Sequence, residues 1–115
     1  MLKPSEVWRR AWYEGLECPL RGENAKRPSP ISYRGLYRKT VDHPRCAIGL
    51  LVQPYQEQLD RDHKGYYAPV GEVRKPLADL YGVTLDWLAK MESHYEYTPG
   101  TTLLTLAEMA EKEGH

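Results

Sequence analysis

Arg45-Cys46-Ala47-Ile48-Gly49-Leu50-Leu51-Val52 contains the longest unbroken apolar run of the chain. It has no charge from 46 to 52 and is flanked by Pro44 and Pro54. A run this short and this apolar reads as a fully buried core element. Periodicity alone does not separate a strand from two turns of helix. Composition favours helix, because Ala47, Gly49, Leu50 and Leu51 leave little β-branched character. Pro44 is expected in the first turn, where its missing N–H costs nothing, with Asp42 or His43 as N-cap. The other elements are expected to pack around this segment.

Upstream, Ile31, Tyr33, Gly35 and Tyr37 alternate with Ser32, Arg34, Leu36 and Arg38, the period of a strand with a basic and an aromatic face. Residues 20–30 are a polar loop without periodicity. A first helix is expected over roughly 5–16, capped by Ser5, with Trp8, Ala11, Trp12 and Leu16 on one stripe. Its two tryptophans should pack on residues 46–52. Downstream, Gln53 and Pro54 open a short helix to about Asp60, and residues 60–73 read as a loop or irregular ribbon. Lys75-Pro76 starts a helix over 77–81, stopped by Gly82. Thr84 caps the clearest helix, to about Tyr95, with Leu85, Leu88, Met91 and Tyr95 on one face and Trp87 broadening it. Asp86, Lys90 and Glu92 should face water. After a break at 97–100, a last helix starts near 101–103, or at Thr105, which has capping-box spacing with Glu108. The expected fold is a single α+β domain over residues 1–115. It is mostly helical, with four or five helices and a small antiparallel β-ribbon near residues 31–38.

Bulk charge selects no partner, since 16 basic and 16 acidic side chains cancel. Their distribution is uneven: residues 1–48 carry 10 basic and 5 acidic side chains, residues 49–115 carry 6 and 11. The halves should attract each other, or the first should offer a basic face to an acidic partner. Two cysteines, Cys18 and Cys46, are too few for a disulfide scaffold. Residues 1–6 lack the apolar stretch of a signal peptide, and residues 46–52 fall far short of a bilayer span. A cytoplasmic protein with no membrane partner is expected. With 9 Tyr, 3 Trp and no Phe, nearly every large aromatic has a polar handle, a composition suited to half-buried positions and interfaces.

Three kinds of chemistry can be weighed. Cys46 is a candidate nucleophile, because a thiol in a first helical turn beside Arg45 has its pKa lowered by dipole and cation. His43, His63 or His94 would be its base, oriented by Asp42 or Asp62. The bland alternative is a small buried cysteine. A metal site from Cys18, His43, Cys46 and His63 lacks any Cys-x-x-Cys or His-x-x-x-His pair, so no metal and no cofactor is expected. Arg9, Arg10, Trp12, Tyr13, Lys26, Arg27 and residues 33–39 interleave cations with aromatics, as single-strand nucleic-acid binders do. The zero net charge argues against a dedicated module of that kind.

Tyr33-Arg34-Gly35, Cys46-Ala47-Ile48-Gly49-Leu50-Leu51-Val52, Tyr55, Asp62 and Gly65 together resemble a group of small bacteriophage and prophage proteins. That group shares a Tyr-Arg-Gly … Cys-Ala-Ile-Gly-x-Leu-Ile … Tyr … Glu-Gly pattern and has no established activity. Its members often carry Cys-Leu-Ile at Leu50-Leu51-Val52 and Glu-Gly at Lys64-Gly65. The resemblance covers residues 31–65 and implies a phage-type origin, hence a host cytoplasm, and no catalytic residue. The leading reading is a non-enzymatic accessory protein that binds and modulates a macromolecular partner, for instance by inhibiting a host defence or regulatory protein. Arg34, Tyr37, Arg38 and Lys39, with Tyr66 and Tyr67, are the expected contact residues. The alternatives are a thiol enzyme using Cys46, His43 and His63, and a nucleic-acid module on the basic first half.

Overall fold

The computed structural model describes residues 2–16, 47–62 and 70–115. Among them run α1 (Pro4–Tyr13), α2 (Ala47–Val52), a 3₁₀ turn (Gln53–Tyr55), α3 (Gln56–Asp62), α4 (Val70–Tyr81), α5 (Leu85–Tyr97) and α6 (Leu103–Lys112). The expected α+β fold is therefore corrected: every regular element among the described residues is helical, and none is a strand. The physical reason is that helical stripes close the core on their own. Trp8 and Ala11 of α1, Leu77, Ala78 and Tyr81 of α4, Leu88, Met91 and Tyr95 of α5, and Leu103, Leu106, Ala107 and Ala110 of α6 are all buried. Residues 31–38, whose alternation suggests the ribbon, lie outside the described residues.

The central segment is the helix its composition implies. All six residues of α2 are buried, as expected of a helix that is apolar all round. With no polar side chain of its own, α2 offers its main chain to neighbours. The Trp8 indole N–H donates to the Ala47 carbonyl at 3.0 Å, and the Tyr81 hydroxyl donates to the Leu51 carbonyl at 2.5 Å. Burial, and secondarily the nearby Tyr55, push the Tyr81 phenol well above its usual range. Pro54 explains the change to 3₁₀ geometry after Val52, since it brings no N–H to the Leu50 carbonyl four residues back.

Elsewhere the local signals hold in part. Thr84 caps α5 by accepting from the Trp87 N–H at 3.1 Å, and Gly82 ends α4 at φ +67°. The capping box of α6 pairs Thr102 with Thr105, one turn earlier than the Thr105–Glu108 alternative. Pro76 does not start α4 but lies inside it. Ser5 is not a cap either: α1 begins with Pro4 after Lys3, and Ser5 is buried. On α5, Leu85 opens the helix and is 42% exposed, whereas Glu92, four residues after Leu88 and so on the inward stripe, is buried. The most extensive helix pairing is α1 against α6, where Ala11, Ala107 and Ala110 are small enough for close approach.

Candidate functional site

Cys18, Arg34, Tyr37, Arg38, Lys39, His43, Cys46, His63, Tyr66 and Tyr67 all lie outside the described residues. Of the candidate bases only His94 is described. It is half-buried on α5, with its Nδ1 at 3.4 Å from the Thr98 hydroxyl. Among the described residues no three His, Cys, Asp or Glu side chains converge as metal ligands.

The first helix separates the cations of the nucleic-acid reading from the role that reading gives them. Arg9 donates through Nε to Glu111 at 3.0 Å, and Arg10 does so to Glu14 at 3.3 Å. Trp12 is half-buried against the core. Only Tyr13, 76% exposed, presents an open ring. Each arginine of this helix thus faces a carboxylate, which lowers the net positive charge that it offers to phosphate. The Arg9–Glu111 pair also joins the basic first half to the acidic second half, as the charge distribution suggests.

Beside that helix the structure forms a groove that sequence patterning does not reveal. It has a volume of about 610 Å³. Its apolar lining comes from Leu2, Val7, Ala11 and Leu16 on the α1 side and from Leu50 and Pro54 across it. Glu6, Arg10 and Glu14, spaced four residues apart and therefore on one edge of the helix, form its charged rim. Tyr13 continues that edge outward with Arg9 and Arg10. The one sequence signal for this site is the Glu-x-x-x-Arg-x-x-x-Glu spacing. The opposing wall depends on a contact between residues some forty positions apart, and spacing cannot supply that.

A second cluster is built around Trp8 of α1. Trp8 and Trp87 stack at 5.8 Å with planes 29° apart, and the His115 ring meets Trp87 edge-on at 4.8 Å. The Trp87 indole donates to Glu113, which also receives Lys90 at 3.2 Å. The Trp87 hydrogen bond, then the Lys90 one, hold the Glu113 carboxyl below its usual range. The arrangement orders the polypeptide but assembles no nucleophile–base pair. No helix among the described residues is long and apolar enough to cross a membrane. Comparisons with protein-family models, curated proteins and solved structures give no match.

Proposed function

We propose that the protein binds a macromolecular partner and modulates it without catalysing a reaction. The observation that supports this reading is the α1 surface, an apolar groove of about 610 Å³ with a Glu6–Arg10–Glu14 rim and the exposed Tyr13 beside it. Apolar floors with a charged rim and an aromatic neighbour are the usual makings of a protein contact. The segment carrying Arg34, Tyr37, Arg38 and Lys39, and the pair Tyr66 and Tyr67, supply further contacts in this reading, on their sequence character alone. The phage-type origin, a host defence or regulatory protein as target and a host cytoplasmic setting rest on the sequence resemblance. Nucleic acid is the weaker partner, because Arg9 and Arg10 already face carboxylates.

The test is affinity capture from host lysate with and without nuclease, using wild type, Arg10→Glu with Tyr13→Ala, and Arg34→Ala with Tyr37→Ala. A nuclease-resistant protein should be captured, and each double variant that removes contact residues should weaken capture by roughly 2 kcal/mol or more. Nuclease-sensitive capture would replace the reading with the nucleic-acid one. Undiminished capture by both folded variants would move the contact surface elsewhere, with Tyr66 and Tyr67 next to substitute.

A further inference from the structure

In the first turn of α1 the Glu6 and Val7 N–H groups donate to the Lys3 carbonyl at 3.1 and 3.3 Å, but Ser5 has no acceptor within the helix. The N-cap, Lys3, makes no side-chain capping bond, and Pro4 has no N–H. The Ser5 N–H finds its acceptor outside the helix, in the main-chain oxygen of His115 at 3.3 Å. His115 is aimed there by the turn that ends α6. Gly114 takes φ +79°, its N–H donates to Glu111 at 3.1 Å, and the His115 N–H donates to Ala110 at 2.8 Å, a Schellman pattern that needs the left-handed glycine. Side chains hold the same turn on α5, with Glu113 on the Trp87 indole and Lys90, and the His115 ring against Trp87. Leu2 and Glu6, at the two sides of that first turn, also line the groove.

We infer that residues 113–115 act as a strap whose seating on Trp87 orders the first turn of α1, and with it one end of the groove. One of the strap's polar contacts is exposed, since the Lys90 and Glu113 side chains are 52% and 39% accessible, and the others rest on the Trp87 ring. The body of α1 is anchored by the buried Trp8 and Ala11, whereas the first turn adds to the small buried Pro4 and Ser5 only the Ser5 bond to His115. Opening the strap therefore frays one turn while the rest of the helix stays seated. The coupling holds whatever occupies the groove, because it concerns only the order of residues 2–7.

Amide hydrogen exchange tests it directly, on wild type, Glu113→Gln, His115→Ala and Gly114→Val. Exchange at Ser5, Glu6 and Val7 should accelerate by about tenfold in the His115 and Gly114 variants. Amides of 9–13 and of α5 should stay within about twofold. Asp79→Ala, which removes an exposed pair with Lys75 on α4, serves as control and should leave α1 unchanged. Unchanged exchange at 5–7 overturns the inference, and so does acceleration spread evenly over α1 and α5. If Gly114→Val does not fold, His115→Ala, which leaves the backbone turn intact, decides it.

Discussion

The surroundings of α2 and those of residues 113–115 use the same device under opposite conditions. In both, an aromatic side chain packs its body into the core and extends its polar tip to a partner. Around α2, Trp8 and Tyr81 reach main-chain carbonyls in a region without charge, with Ile48 and Leu51 fully buried. At the strap, Trp87 reaches a carboxylate that solvent and Lys90 also reach. A hydrogen bond to a carbonyl sealed from water leaves a costly orphan when its donor is lost. At the surface, water replaces the missing partner. The difference teaches that the abundant Tyr and Trp of this chain stabilise it unequally, according to where the tip lies.

The comparison is broken most severely from the dry side. Trp8→Ala should cost about 3–5 kcal/mol and Leu51→Ala about 2–5 kcal/mol, from lost burial plus the cavity left behind, read from chemical denaturation midpoints. A loss below about half a kcal/mol at Leu51 would show that α2 is not the centre of the core. Tyr81→Phe isolates the tip from the ring. It should cost about 1–3 kcal/mol, because the Leu51 carbonyl loses a donor where water does not enter. Thr84→Ala, which removes a half-exposed cap from α5, should cost about 1 kcal/mol, visible as a lower Tm.

A smaller effect belongs to the strap and depends on pH. The folded protein holds the Glu113 carboxyl below its usual range, through Trp87 first and Lys90 second, so folding favours the ionised form. Its contribution is fully present above the ordinary carboxylate range and is lost as pH falls through it. Glu113→Gln should accordingly lower Tm slightly at neutral pH, and the gap from wild type should close as pH falls through and below the ordinary carboxylate range. A gap that widens on acidification would reverse the assigned sign. Lys75→Ala, breaking an exposed pair on α4, should change Tm negligibly.

The features legible in the sequence are those written within one or two turns of chain. The buried helix at 47–52, the Thr84 cap and the Gly82 stop rest on local chemistry, and each is found. Pro76 misleads because a proline reads as a helix start, while burial of Leu77, Ala78 and Tyr81 carries α4 through it. Ser5 misleads because a serine before an apolar stripe reads as a cap, whereas Pro4 takes the first helical position. The α+β reading gave weight to alternation at 31–38 that the described helices do not need. Neither the groove nor the strap is legible, since each joins parts distant in sequence: Ala11 with Leu50, Ser5 with His115. Of the residues singled out for catalysis or contact, His94, Asp62 and the α1 residues Arg9, Arg10, Trp12 and Tyr13 are described, while Cys46, His43, His63, Arg34, Tyr37, Arg38, Lys39, Tyr66 and Tyr67 fall outside the described ones. Their roles therefore stand on sequence character.

The pairing of α1 with α6 also sets an order of events during synthesis. Trp8 and Ala11 leave the ribosome long before α6, yet that helix, which pairs with α1 most extensively among the described elements, begins only at Leu103. At roughly 5–20 residues per second, an apolar stripe waits on the order of 5–20 s for its mate. Closing so long a loop also slows the final step relative to helical bundles built from neighbours. In that interval the nascent chain carries an amphipathic helix without its main partner. The interval before α6 is made is accordingly the one in which that stripe is open to other apolar surfaces.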